Sequence, residues 1–200
     1  MKKISVPALL VLGALFTVPM ATTAGAVDVA AKCAGCHGDS GVSAKGDTPT
    51  IAGLSVAYLT ETMNSYKSGD RTNCKEVDLK GVKTDMCKIA KDLSDEDIKA
   101  SSDFYAKKKF VHAKQPVDAA LAKKGAEIHD MNCEKCHSEG GSLADDDAGI
   151  LAGQWKAYLK TEMNDLRSGD RSGSKKMVDK LKGLEPADID ALAEFYAGHK

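Results

Sequence analysis

The sequence predicts an all-α fold in which one helical domain occurs twice along the chain. Residues 51–71 and 151–171 lie 100 residues apart and are identical at 11 of 21 positions. In both segments apolar residues recur at intervals of three and four, the spacing of one face of a helix. A Cys-x-x-Cys-His run precedes each segment, again at a separation of 100 residues. The chain is therefore predicted to contain two tandem all-α domains, each with its own cysteine motif.

Each half is predicted to contain a short helix leading into the cysteine motif, a glycine- and serine-containing loop, and further helices. The helix after the loop ends at Ser68, and Gly69 is placed to cap it. The last helix of the first half begins after Ser94, with the acidic run 95–97 in its first turn. In the second half Pro186 occupies the equivalent first turn. No convincing strand pattern is found in the sequence.

The halves differ in length between the repeated segment and the last helix. There the offset falls from 100 to 91, a difference of nine, so that Asp97-Ile98 matches Asp188-Ile189. The first half therefore has a nine-residue insertion between Arg71 and Met86. Pro116 disfavours a helix through the junction of the halves. These features predict a first domain at 27–110, a linker at 111–116 and a second domain at 117–200.

The N-terminus is typical of a secretory signal peptide. Two lysines precede an apolar run over 4–18, and the small residues Ala24-Gly25-Ala26 provide a cleavage site. The run is too short for a stable membrane span, and no later segment is apolar enough for one. We predict a signal peptide at 1–26 and a mature protein in the periplasm. Residues 27–110 carry no net charge and residues 111–200 carry −3, so no basic patch indicates a nucleic-acid partner.

The two Cys-x-x-Cys-His runs carry the chemistry of the chain. This motif attaches c-type haem, because two thiols can add to the two vinyl groups of one porphyrin while the following histidine reaches the iron. Two structural disulfides or one shared zinc site are the alternatives. The motif predicts two covalent haems per chain, bound through Cys33, Cys36, Cys133 and Cys136, with His37 and His137 as iron ligands.

The second axial ligand should occur in both halves. Two methionine pairs meet this condition: Met63 with Met163, and Met86 with Met177. The first pair lies on the apolar face of a helix, where methionine usually fills the core. We favour Met86 and Met177, which are predicted to lie in a loop just before the last helix. His/Met ligation fills both axial positions and indicates one-electron transfer rather than catalysis at the iron.

Three further histidines are interpreted as surface or packing residues, namely His112, His129 and His199. A ligating histidine usually donates its other N–H to a backbone carbonyl. Pro49 is the expected supplier of that carbonyl in the first half, and its equivalent in the second half is Gly149.

Two cysteines lie outside the haem motifs. Cys74 and Cys87 are 13 residues apart, and in an oxidising compartment we expect them to form a disulfide. A free thiol or a sulfur-handling role is the alternative.

The whole mature chain resembles the diheme class I cytochromes c of the c-four type. It resembles more closely the diheme cytochrome subunit of flavocytochrome c sulfide dehydrogenase. The second half carries the residues of that closer resemblance, which are Cys133-Glu134-Lys135-Cys136-His137, Glu139-Gly140-Gly141, Leu143-Ala144-Asp145, Ile150-Leu151-Ala152-Gly153-Gln154-Trp155 and Lys175-Lys176-Met177.

This resemblance implies tandem class I cytochrome c domains with Met86 and Met177 as iron ligands. It also implies a partner subunit that holds FAD, oxidises sulfide and passes electrons to the haems; other redox proteins would then accept them. A free diheme shuttle to a terminal oxidase is the alternative. A diheme peroxidase would need an open iron site, against which the methionine pair argues. This chain itself is not expected to be catalytic alone.

Overall fold

A computed structural model describes residues 23–79 and 81–199 of the chain. The predicted signal peptide therefore lies outside the described residues, apart from its last four residues, which belong to the first helix. Within the described part of the chain, no helix is both long enough and apolar enough to cross a bilayer.

The two halves have closely similar orders of elements. The first half contains α1 (Thr23–His37), α2 (Val56–Ser68), β1 (Val77–Leu79), β2 (Val82–Thr84), α3 (Met86–Lys91) and α4 (Asp95–Ala106). The second half contains α5 (Ala119–Asn132), the short α6 (Ser138–Gly141), a 3-10 turn (Ala144–Asp146), α7 (Lys156–Ser168), α8 (Lys175–Lys182) and α9 (Pro186–Gly198).

The predicted helix boundaries at caps are confirmed. Helix α2 ends at Ser68 and is capped by Gly69, whose φ of 84° is the left-handed conformation that glycine adopts without a Cβ clash. Helix α4 begins with a capping box in which Ser94 Oγ accepts a hydrogen bond from Asp97 N. Pro186 is the first residue of α9, where its missing N–H costs no helical hydrogen bond.

The first and last helices of each half pack against each other. Helix α1 contacts α4, and α5 contacts α9. Tyr105 of α4 is buried and donates its hydroxyl hydrogen to Ala30 O at 2.9 Å. The equivalent Tyr196 of α9 is also buried, and its hydroxyl lies 2.9 Å from His129 Nδ1. These contacts fix the C-terminal ends of α1 and α5, where the two cysteine motifs lie.

The expectation that no strand is present was wrong for the insertion. Strands β1 and β2 pair antiparallel, with Val77 opposite Thr84 and Leu79 opposite Val82. Asp78 Oδ1 accepts a hydrogen bond from Gly81 N at 2.6 Å, and the φ of 86° at Gly81 suits glycine. The nine extra residues therefore form a small hairpin, for which the second half has no counterpart.

The halves are joined by buried polar contacts as well as by the linker. Gln154 of the second half donates from Nε2 to Thr50 O at 2.7 Å and accepts from Thr50 N at 3.0 Å. Trp155 Nε1 donates to Ser43 O at 3.0 Å, and Tyr158 N donates to Gly46 O at 3.0 Å. A loop of the first half is thereby held against the start of α7.

Candidate functional site

The first cysteine motif lies in the last turn of α1. Cys33 and Cys36 are not bonded to each other and are partly buried, while His37 is 6% exposed. His37 Nδ1 lies 2.9 Å from Pro49 O, the contact expected from the sequence. Burial lowers the pKa of the His37 imidazole, so the neutral ring is favoured near neutral pH.

This hydrogen bond fixes the tautomer of His37. A carbonyl oxygen only accepts, so Nδ1 must carry the ring proton. Nε2 then keeps an unprotonated lone pair, which is the state required of a metal ligand.

The second motif begins where α5 ends. Cys133 is the C-terminal cap of α5 and is partly buried, whereas Cys136 is exposed. His137 is 8% exposed, and burial lowers its pKa as in the first half. Its Nδ1 has no hydrogen-bond partner among the described residues. Gly149, with a φ of 80°, stands where Pro49 stands in the first half, and it does not supply the equivalent contact.

A largely apolar cavity lies beside the first motif. Its lining contains the motif cysteines and His37, the apolar residues Leu54 and Leu59, and two methionines. The second half contributes to the same wall through residues near the halves' contact, namely Gly149, Ile150, Leu151, Gln154 and Tyr158.

Both candidate methionines of the first half, Met63 and Met86, line this cavity. In the second half Met163 is 7% exposed and belongs to the hydrophobic core, while Met177 is only partly buried at the edge of that core. One member of the first pair, Met163, is therefore buried, whereas both members of the second pair, Met86 and Met177, are partly accessible.

The expectation that this pair lies in a loop was wrong. Met86 is the first residue of α3, and Met177 lies in the first turn of α8. Asp85 and Ser174 cap these helices, since their side chains accept hydrogen bonds from Lys88 N and Met177 N.

Cys74 and Cys87 are joined by a disulfide in the structure, with their Cα atoms 5.8 Å apart. The bond closes the segment that carries the hairpin. Cys87 directly follows Met86, so the disulfide also anchors the start of α3.

A cluster of ionic residues at the contact of the halves was not predicted. Arg71 is 4% exposed and donates from Nη2 to Glu162 Oε2 at 2.5 Å. Arg171 Nη1 donates to the same carboxylate oxygen at 2.8 Å. The guanidinium of Arg71 also stacks over the Tyr66 ring at 4.5 Å, and burial raises the pKa of Tyr66 to about 12.

Two guanidinium groups share one carboxylate here, and Arg71 is also part of the wall of the first cavity. The recurring Ser-Gly-Asp-Arg sequence at 68–71 and 168–171 was the available signal. The remaining histidines lie outside the cavity: His112 packs on Gly153, His199 on Gly140, and His129 is fully buried against Tyr196.

The residues present fit a covalent haem. Unpaired cysteine thiols, neutral buried histidines with a free ring nitrogen, an apolar wall and nearby thioether sulfurs are the donor set of a c-type site. A shared zinc site is not supported, because no cluster of metal-ligating side chains within the described residues includes a cysteine or histidine of either motif. The Arg71 guanidinium in the cavity wall suits an anionic group such as a porphyrin propionate.

Comparison with known proteins agrees with this donor set. The family model described as cytochrome c matches residues 23–105. A cytochrome c4 of Pseudomonas aeruginosa is 30% identical, with 99% of each chain covered. A thiosulfate dehydrogenase electron acceptor of Stutzerimonas stutzeri is 30% identical, over 88% of this chain and 82% of the relative.

A solved structure is similar as well. Reduced recombinant cytochrome c4 from Pseudomonas stutzeri matches with a TM-score of 0.73 and 28% identity, over 88% of this chain and 97% of that chain. The predicted all-α fold of the class I cytochrome c type is thereby confirmed. Membership of this group implies covalently bound haem c and electron transfer. The full-length likeness to cytochromes c4, together with the repeated motif, shows that the chain belongs to the cytochrome c family.

Proposed function

We propose that the chain is a periplasmic diheme electron carrier that accepts single electrons from a dehydrogenase acting on an inorganic sulfur compound. The observation that carries this proposal is the occurrence, in both halves, of a cysteine motif followed by a buried neutral histidine. Similarity to a thiosulfate dehydrogenase electron acceptor supports the sulfur-compound donor.

In this proposal each half holds one haem. Cys33 and Cys36 form the thioether links in the first half, and Cys133 and Cys136 do so in the second. The bound haem supplies the one-electron change between ferric and ferrous iron. The protein attaches it, ligates it and excludes water from it.

The axial ligands follow from the same residues. His37 and His137 would each hold a haem iron through a ring nitrogen, and Met86 and Met177 would hold it through thioether sulfur. With these residues holding the iron, the group would supply electron exchange, and no position would be left for a small substrate.

Haem stoichiometry is the first test. Mass spectrometry of the mature protein, expressed in a host that matures c-type cytochromes, should show two haem additions that resist acid-acetone extraction. Cys136→Ala and Cys36→Ala should each weaken attachment at one haem only. A chain with no acid-stable haem would refute the proposal.

The methionine assignment has its own test. Ferric haem with thioether ligation absorbs weakly near ~700 nm, so Met86→Ala should remove about half of that band. Met63→Ala is the matched control, because Met63 lines the same cavity on a neighbouring helix. Loss of the band in the control instead would reverse the assignment.

A second candidate partner is an FAD-containing sulfide dehydrogenase subunit. The stretch from Cys133 to Trp155 favours it, through its resemblance to the cytochrome subunit of flavocytochrome c. Part of that stretch has a role within the chain, since Trp155 and Gln154 hold a first-half loop.

Isolation from native periplasm separates the partners. A tagged chain that carries a flavin-fluorescent subunit through gentle purification supports the sulfide dehydrogenase assignment. Reduction of the flavin-free chain by thiosulfate in the presence of a co-purified dehydrogenase supports the thiosulfate assignment. If the chain purifies without a flavin subunit and neither system reduces it, the remaining assignment is a free electron shuttle to a terminal oxidase.

A further inference from the structure

Asp146 holds the residue that directly follows His137. Ser138 N donates a hydrogen bond to Asp146 Oδ2 at 2.6 Å, and Ser138 Oγ donates to Asp146 Oδ1 at 3.1 Å. Both oxygens of one carboxylate are thus bound to a single residue. The backbone next to the predicted iron ligand is thereby tied to the 3-10 turn that ends at Asp146.

Glu134 holds the next two residues. Its Oε1 accepts a hydrogen bond from Glu139 N at 3.0 Å, and its Oε2 accepts one from Gly140 N at 3.3 Å. Both residues have a left-handed backbone, with φ of 50° at Glu139 and 67° at Gly140. A residue with a Cβ rarely adopts this conformation, so the surrounding contacts must hold Glu139 there. The hydrogen bond from its N–H to Glu134 is one such contact.

Glu134 is itself anchored to the buried part of the second half. Its Oε2 accepts from His129 Nε2 at 2.6 Å, because a carboxylate can only accept. His129 Nδ1 lies 2.9 Å from the Tyr196 hydroxyl, and both of these side chains are buried. The hydrogen bond from His129, followed by those from the two backbone N–H groups, lowers the pKa of Glu134. A continuous row of hydrogen bonds therefore runs from α9 through α5 to the loop after His137.

The first half contains neither carboxylate. At the repeat offset of 100 residues, Ala34 stands in place of Glu134, and Gly46 stands in place of Asp146. Neither alanine nor glycine has a side-chain acceptor, so these two positions cannot hold the backbone after the first motif in this way. We call Glu134 and Asp146 the carboxylate pair of the second half.

The halves also differ in what else holds the predicted histidine ligand. In the first half α1 continues through the motif to His37, whose Nδ1 lies 2.9 Å from Pro49 O. In the second half α5 ends at Asn132, before the motif, and His137 Nδ1 has no hydrogen-bond partner among the described residues. The half that lacks the continuous helix and the carbonyl acceptor is thus the half that has the carboxylate pair.

We propose that the carboxylate pair positions His137 as the iron ligand of the second half. Glu134 and Asp146 act through the backbone of 138–140, so they are positioning residues rather than ligands. A metal-bound histidine usually has its ring plane fixed by a hydrogen bond from its second nitrogen. His137 lacks such a bond within the part of the chain that the structure describes, so the placement of its backbone sets the ring plane instead.

This inference rests on the proposed haem attachment. The test therefore uses holoprotein that mass spectrometry shows to carry two haems. A wild-type chain without two haems would overturn the proposed function and this inference with it. A diheme protein that fails the measurements below would overturn the positioning role alone.

The variants separate the hydrogen bonds from the charge. Asp146→Ala removes both bonds to Ser138, whereas Asp146→Asn removes the charge but keeps an oxygen to accept from Ser138 N and an amide to donate to Ser138 Oγ. Glu134→Ala removes the bonds to the next two residues. Asp145→Asn and Glu139→Gln are the matched controls, because each removes one exposed carboxylate beside the carboxylate pair.

The first measurement is amide hydrogen exchange of the reduced holoprotein. Asp146→Ala should speed exchange at Ser138 about ten-fold, and Glu134→Ala should do the same at Glu139 and Gly140. Asp146→Asn and the two controls should change these rates less than about two-fold. Unchanged exchange in both alanine variants would overturn the inference, because the carboxylates would then not hold this backbone.

The second measurement reports the ring plane of the histidine ligand, which a merely stabilising contact would not move. In the ferric holoprotein the hyperfine shifts of the haem methyl protons depend on that plane, and cross-peaks to each motif assign them to one haem. Asp146→Ala and Glu134→Ala should shift the methyl signals of the second haem and leave those of the first unchanged. Asp146→Asn and the controls should retain the wild-type pattern at both haems.

Two outcomes of this measurement would overturn the positioning role. A lower melting temperature with unchanged methyl signals would show that the carboxylate pair only stabilises the fold. Equal changes in Asp146→Asn and Asp146→Ala would show that charge, and not position, acts on the second haem. Should Glu134→Ala not yield a diheme protein, the comparison of the two Asp146 variants decides alone.

Discussion

Gln154→Ala should destabilise the protein although the residue lies outside both haem motifs. The side chain is 2% exposed and spans the contact of the halves. Its oxygen accepts from Thr50 N and its nitrogen donates to Thr50 O. Thr50 is itself 1% exposed, so truncation leaves a buried backbone N–H and a buried carbonyl without these partners.

The size of the effect follows from those two groups. A buried polar group left unsatisfied costs about 1–3 kcal/mol, so two groups give about 2–6 kcal/mol. Entry of water into the space vacated by the amide lowers the cost, and we expect about 3 kcal/mol. For a chain of this size that corresponds to a melting temperature lower by roughly 6–12 °C.

Thermal and urea unfolding of the holoprotein, followed by circular dichroism at the helix band, measures this difference. Asn164→Ala is the matched control, because it removes an exposed amide from α7, the helix that follows Gln154, and should change stability by less than about 0.5 kcal/mol. If Gln154→Ala costs no more than the control, the paired hydrogen bonds do not hold the halves together.

Three further substitutions test local features. Ser94→Ala removes the cap of α4 and should lower the unfolding free energy by about 1 kcal/mol in urea titration, while Ser94→Thr retains most of it. Gly149→Ala forces a Cβ to within 2.8 Å of a tyrosine ring at a φ of 80° and should cost about 1–3 kcal/mol by thermal unfolding, whereas Gly46→Ala, with open space, should be neutral. The side-chain hydrogen bond from His129, then backbone N–H groups, lowers the pKa of Glu134. Because this pKa is lower in the folded than in the unfolded protein, the ionised carboxylate stabilises the fold at pH values above the unfolded pKa. This stabilisation is lost as the pH falls through the folded pKa. Glu134→Gln should therefore be less stable at pH 7 and lose less on acidification, as followed by circular dichroism; equal acid titrations of the two proteins would contradict this.

Features that depend on nearby residues were predictable from the sequence. Two helix boundaries follow from single residues with strong conformational preferences. They are the end of α2 before its cap Gly69 and the start of α4 after its cap Ser94. The contact between His37 and Pro49 followed from the need of a ligating imidazole for an acceptor. The repeat allowed the second half to be described from the first.

The hairpin and the short helices were missed for physical reasons. Each strand has only three residues, so the alternation of Val77, Asp78 and Leu79 is too short to stand out from a loop. The helix at Met86 did carry a signal, because Asp85 is a good N-cap and its side chain accepts from Lys88 N.

The contact of the halves could not be predicted, since it depends on their relative placement. Thr50 and Gln154 are 104 residues apart, and nothing local marks them as partners. The shared use of Glu162 by Arg71 and Arg171 is of the same kind.

The glycine at position 149 makes the two copies of the domain inequivalent. It faces a ring of the other copy, Tyr58, at a backbone angle that proline cannot adopt. In the second copy, position 149 thus contacts the other copy. Its equivalent in the first copy, Pro49, supplies the carbonyl acceptor for His37. Without that acceptor the imidazole of His137 would be a poorer electron donor to an iron that it held. Docking two copies face to face would therefore make the two proposed haem sites unequal, and it gives a duplicated sequence a direction.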